Sequence, residues 1–165
     1  MSKRDDDATL VDRMYQLAYT CAYRTLRTYW RIRRPMTHGA LVAIWSRGQV
    51  LLVRNSYVPY YSAPGGYVRR GESGREAAMR ELEEEVGVRV RPEQLELALE
   101  ETLPWEGKRD HVQIFNLVMD ERPTIRIDRR EVIAASWFER GAVRDLDVFP
   151  PLKRVIEAGP DAAVT

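Results

Sequence analysis

Residues 8–31 contain neither glycine nor proline, and their apolar positions recur at helical spacing. Leu10, Met14, Leu17 and Cys21 form one stripe, and Tyr15, Tyr19, Tyr23, Leu26 and Trp30 form a second. At about 100° per residue the stripes lie on opposite sides of a helix, with Ala18 and Ala22 between them. The polar remainder is a narrow strip of Arg13, Gln16, Thr20, Arg24, Arg27 and Arg31. A helix this apolar around its circumference calls for cover on two sides. The pattern predicts that one stripe packs on the rest of the chain. The other, carrying Tyr15, Tyr19, Tyr23 and Trp30, would be buried in a homodimer, since monomers seldom expose so large a patch. Asp7 or Thr9 is placed to cap the helix and Pro35 to end it.

Beyond Pro35 the period changes. Two apolar runs, Ala40–Trp45 and Val50–Val53, flank Ser46-Arg47-Gly48-Gln49 and predict a hairpin. Pro59 and Pro64-Gly65-Gly66 break the chain into loop and short strand. Ser73-Gly74-Arg75-Glu76 has the form of a capping box and opens a helix that buries Ala78, Leu82 and Val86. Gly87 stands where such a helix stops. Leu95–Leu103 and Val112–Met119 read as strands around a polar loop, Trp105–Asp110. Ala134–Phe138 reads as another strand, and Pro150-Pro151 precede a short helix, Leu152–Ala158. This succession indicates an α+β fold. The expected organisation is a helical extension (1–36), one domain (37–158) and a short tail (159–165).

The chemistry is concentrated between Gly66 and Val88, where six glutamates fall. On a helix Glu81, Glu84 and Glu85 share one face, because their spacing is i, i+3, i+4. Like charges so placed destabilise a bare helix, and a cation against the face removes the conflict. Carboxylate oxygens are the ligands that a hard ion such as Mg²⁺ takes.

Residues 66–88 read G-x5-E-x7-R-E-U-x-E-E-x-G-U, with U aliphatic: Gly66, Glu72, Arg80, Glu81, Leu82, Glu84, Glu85, Gly87 and Val88. The segment resembles the signature of the Nudix hydrolases at every fixed position. The resemblance implies a mixed sheet sandwiched between helices, an α/β/α arrangement preceded here by the extra N-terminal helix. It also implies Mg²⁺-dependent hydrolysis of a phosphoanhydride in a nucleoside diphosphate linked to another moiety, with Mn²⁺ able to substitute. The implied metal ligands are Glu84 and Glu85, with Glu81 as ligand or general base. Arg80 would orient a glutamate, and Glu72 would support the loop or reach a metal through water. Gly66 would sit where a side chain is excluded. Glu131, six residues before Trp137-Phe138, is a candidate further acid, in competition with Glu100 and Glu101. Related isoprenoid diphosphate isomerases use a cysteine within the domain; Cys21 lies in the leading helix, so that activity is not expected.

The substrate contacts are less sharply marked. Tyr60, Tyr61, Trp105 and Phe115 are candidates for stacking on a base. Arg54 and Lys108 or Arg109 are candidates for phosphate. Arginine outnumbers lysine 23 to 3, which discounts any single arginine. A net charge of +1 gives no steering toward DNA. The single cysteine excludes an internal disulfide and a four-cysteine zinc site, and a reducing cytoplasm fits. The first residues lack the apolar core of a secretory signal. The expected partners are a soluble nucleotide and a second copy of the chain, with weak contact of the N-terminal helix to anionic lipid as the alternative. A non-catalytic nucleotide-sensing module is the alternative function.

Overall fold

The computed structural model describes residues 9–161. The Asp7 cap and the end of the tail fall outside them. The first helix, α1 (Leu10–Arg33), is capped by Thr9: its hydroxyl accepts the Asp12 N–H at 3.2 Å while the Asp12 carboxylate accepts the Thr9 N–H at 2.9 Å. The exchange satisfies donors that a helix start leaves open. Arg34 closes the helix in the left-handed region, φ 45°, and Pro35 prevents its continuation.

The strands are β1 (Met36–Ser46), β2 (Gln49–Asn55), β3 (Gly65–Tyr67), β4 (Glu96–Trp105), β5 (Lys108–Val118) and β6 (Val132–Glu139). They form one sheet in the order β4-β5-β1-β2-β6, with β3 beside the first half of β1. The β1–β5 pair is parallel and the other pairs are antiparallel, so the sheet is mixed. Period-2 alternation divides the core. Ala43, Trp45, Val50 and Leu52 face one side, under α3 (Pro150–Ala158) with its Leu152, Val155 and Ile156. Ala40, Val42, Ile44, Leu51 and Val53 face the other, under α2 (Gly74–Val86) with Ala77, Ala78, Leu82 and Val86. This is the expected α/β/α sandwich.

Two expectations need correction. The polar loop Trp105–Asp110 contracts to a two-residue turn, because Glu106 and Gly107 both adopt positive φ (51° and 89°). Trp105 therefore pairs directly with Lys108. The second correction concerns α1. Within the single chain Tyr23 and Trp30 of its tyrosine stripe turn to the domain, Trp30 4% exposed, while Tyr15, Tyr19 and Leu26 keep 44%, 38% and 44% exposure. The more open stripe is Leu10, Met14 and Leu17, at 77%, 65% and 66% exposure. The stripes are equally apolar in sequence, but only Tyr23 and Trp30 meet partners contributed by the turn and by β5. Charge placed at Tyr19 and Tyr23 would therefore enter a wall of the domain's cavity.

Candidate active site

Helix α2 presents the glutamates because both of its ends are fixed. The Ser73 hydroxyl accepts the Glu76 N–H at 3.2 Å, and the Glu76 carboxylate accepts the Ser73 N–H at 2.7 Å. At the other end Gly87, φ 72°, donates its N–H to the Glu83 carbonyl. With Ala78, Leu82 and Val86 turned inward, Glu81 and Glu85 flank the buried face. Glu84 stands at the solvent edge, its side chain 50% exposed. Glu83 points outward and pairs with Arg89 at 2.6 Å.

Arg80 organises the face. Its Nε and Nη2 donate to the two oxygens of Glu72 at 2.8 and 3.0 Å. Its Nη1 donates to Glu81 and, at 3.2 Å, to Glu84; Nη2 also donates to the Tyr67 carbonyl at 3.0 Å. The bidentate pair holds the Glu72 carboxyl down to about 2. Glu72 accepts the Arg69 N–H as well, so it fixes the loop before α2. Gly66 leaves room for Glu81: a Cβ there would lie 2.5 Å from a Glu81 oxygen, so a side chain would displace that carboxylate.

Glu85 is 4% exposed and accepts the Gly65 N–H at 2.9 Å. Burial raises its carboxyl well above the usual range, the Gly65 N–H opposes this, and the charges of Glu131 and Glu81 add to it. Burial also raises Glu81, against the pull of Arg80, with Glu84 and Glu131 contributing repulsion. Glu131 is thus brought to the same charge cluster. It accepts the Tyr57 O–H, and Tyr57 accepts the Asn55 amide N–H at 3.2 Å. Burial and the Glu131 charge raise Tyr57, so its phenol stays protonated and donates.

These oxygens suit a hard divalent cation, and their mutual repulsion is what such an ion relieves. Among the described residues no three carboxylates converge on one point, because Glu81 and Glu84 both hold Arg80. Holding a cation requires them to give up part of that hold.

Beside the glutamates opens a cavity of about 330 Å³. One end is edged by Gly65, Gly66 and Glu131, and its floor carries Tyr60, Trp105 and Phe149. Trp105 stands edge-on to Tyr60 and Phe149, with ring centroids 5.7 and 5.1 Å away. A carboxylate cluster beside an aromatic slot is what metal-assisted hydrolysis of a nucleotide requires.

Comparison with known proteins agrees with that chemistry. The profile of the NUDIX domain matches residues 35–158. The chain belongs to the Nudix family. Over 52 residues it is 48% identical to a Bacillus subtilis (strain 168) protein named, provisionally, as an 8-oxo-dGTP diphosphatase. That match covers 31% of this chain and 35% of the relative, so it spans about a third of the relative's length. The fold matches a MutT protein of Methanosarcina mazei Go1 (TM-score 0.66, 20% identity, 76% of this chain and 93% of that one). It also matches the E. coli dihydroneopterin triphosphate pyrophosphohydrolase (TM-score 0.61, 26% identity, 73% and 92%).

Within the Nudix domain the predicted contacts separate. Trp105 lines the cavity, and so does Tyr60. Tyr61 does not: it packs edge-on against Phe138, with Arg54 over its ring at 5.9 Å. Phe115 is 3% exposed, in the core under α2. Arg109 points to solvent, while its neighbours Lys108 and Asp110 turn inward and pair at 2.7 Å. Glu100 and Glu101 hold His111 and Arg154, and neither lines the cavity. The sequence reading missed Asn55, Tyr57, Glu106 and Asp110. Their only local signal is a polar residue ending an apolar strand or a Glu-Gly turn.

Arg80 touches three glutamates without lying among the buried oxygens. Arg80→Ala is expected to lower turnover by about 10- to 100-fold, the scale for losing a group that orients metal ligands. Steady-state rates at saturating Mg²⁺ check this; a loss as large as that of a ligand variant would make Arg80 a direct participant.

Proposed function

We propose that the chain is a Mg²⁺-dependent nucleotide pyrophosphohydrolase, with Mn²⁺ able to substitute. It hydrolyses a phosphoanhydride in a nucleoside diphosphate linked to another moiety and releases a nucleoside monophosphate. The observation that carries this reading is the group of Glu81, Glu84, Glu85 and Glu131, of which Glu131 lines an aromatic cavity. Glu84 and Glu85 hold the ion, and Glu81 either joins them or takes the proton of the attacking water. Glu131, fixed by the Tyr57 phenol, is the further acid. Arg80 orients Glu81 and Glu84, and Trp105 stacks on the base. A divalent ion bound here supplies charge neutralisation at the phosphates and a lowered pKa for water. The names of the Bacillus relative and the E. coli neighbour both point to triphosphates, so nucleoside triphosphates head the substrate panel.

The test is a panel of nucleotides at millimolar Mg²⁺ with products resolved by chromatography. The expected result is a nucleoside monophosphate and the complementary phosphorylated fragment. Tight nucleotide binding without metal-dependent turnover would favour a sensing module instead. Among the described residues no helix is long and apolar enough to cross a membrane. For the exposed Leu10, Met14 and Leu17 face we keep the homodimer as the proposal, with a cytoplasmic location. Sedimentation and liposome flotation separate the dimer from contact with anionic lipid.

A further inference from the structure

Helix α1 lies outside the residues matched by the NUDIX domain, yet Tyr19, Ala22, Tyr23, Leu26 and Trp30 form one wall of the cavity. The helix is fastened on both sides of the opening. Near Glu131 the Gln16 amide donates to the Arg129 carbonyl at 2.8 Å, and Arg130 lies over the Tyr15 ring at 4.8 Å. At the β4–β5 turn the Tyr23 phenol donates to Glu106, with Arg27 3.8 Å from the same carboxylate. Gly107 lets the turn approach: a Cβ there would lie 3.1 Å from the Arg31 backbone. The middle of the helix is left spanning the cavity.

Charge decides which part of a substrate fits beneath it. Among the described residues that line the cavity, Lys108 is the one cation. It is committed to Asp110 at 2.7 Å and lies 5.0 Å from the Trp30 ring centroid. Glu106 is likewise committed to Tyr23. That end therefore presents aromatic faces and neutralised charge, and offers nothing to a phosphate. A planar uncharged group gains stacking there at little desolvation cost.

Building on the hydrolase reading, we infer that α1 completes a base-binding slot. The substrate lies with its uncharged nucleobase between Tyr23 and Trp30 of α1 and Tyr60 and Trp105 of the domain, and its phosphates at the Gly65–Gly66 end. The helix sets which bases are accepted, so this chain's specificity resides partly outside the family domain.

Ala22 is the small residue in the wall, and Ala22→Trp fills the slot from the helix side. Arg24→Trp, on the exposed polar strip of the helix, is the control. In the full-length protein, kcat/KM of Ala22→Trp for purine and pyrimidine nucleoside triphosphates is expected to fall at least about tenfold, carried by KM. The ratio between the two classes should change, and Arg24→Trp should match the parent. Ala22→Leu repeats the measurement if Ala22→Trp does not fold. Free adenosine and cytidine are expected to compete with substrate, and ribose 5-phosphate to fail. Unchanged KM and base ratio in both Ala22 variants would overturn the inference while leaving the hydrolase standing. If the parent hydrolyses no nucleotide, quenching of tryptophan fluorescence by free nucleosides, lost in Ala22→Trp, still supports the slot; no quenching overturns it.

Discussion

Glu85→Gln is expected to lower nucleotide turnover by about 10³-fold or more with the fold intact, and Glu84→Gln to do nearly as much. A metal's charge stabilisation is worth several kcal/mol, and each 1.4 kcal/mol is about tenfold in rate. The substitution is conservative for packing. Glutamine keeps the length of Glu85 and an oxygen for the Gly65 N–H that now lies 2.9 Å from the carboxylate. Removing a carboxyl that burial already raises should not destabilise the metal-free protein. Rate measurements over a Mg²⁺ titration, beside thermal melts, separate the two effects. Near-parental turnover in both variants would remove these residues from the metal site.

Gly65→Ala is expected to cost about 4 kcal/mol of stability, from strained backbone and overpacking together, and roughly 10 °C in Tm. Gly65 has φ 151°, and a Cβ there would lie 2.2 Å from the Ala40 carbonyl oxygen and 2.7 Å from the Leu41 Cα. Those atoms belong to β1, which pairs with β2, β3 and β5 and cannot shift alone. Gly48 provides the comparison. Its φ is 74°, but nothing lies within 4 Å of its added Cβ, so Gly48→Ala should cost only about 1 kcal/mol. Equal melting temperatures for the two variants would mean that crowding at β3 is not what requires Gly65.

The carboxylate helix was legible because everything that shapes it is local. Ser73 and Glu76 cap it, Ala78, Leu82 and Val86 orient it, and Gly87 ends it, all within a few residues. Arg80 and Glu72, eight apart, belong to the same stretch. The cavity was not legible, because its contacts join distant parts of the chain. Tyr23 meets Glu106, and Tyr57 meets Glu131, 83 and 74 residues apart. Alternation also fails where a strand is covered on both faces. Ile114 and Phe115 are both buried, so the pattern along β5 could not say that Phe115 faces the core under α2. At the turn, one residue of register decides between Lys108 inward and Arg109 outward, and only the positive φ of Glu106 and Gly107 fixes it. The two stripes of α1 were equally apolar in sequence; the partners waiting for Tyr23 and Trp30 chose between them.

The most direct test of the proposed metal site on the glutamate face is the melting temperature of the full chain with and without millimolar Mg²⁺, from about pH 5 to about pH 8. Glu81 and Glu85 are raised in the fold. Without metal, their contribution is therefore intact below the unfolded value of about 4.3 and is lost as pH rises through the folded values. Mg²⁺ held by the ionised forms offsets that loss and adds stability by mass action. The expected result is a Mg²⁺-induced rise in Tm that grows with pH in the parent and nearly vanishes in Glu85→Gln. An equal rise in both proteins at every pH, or none in the parent, would contradict it.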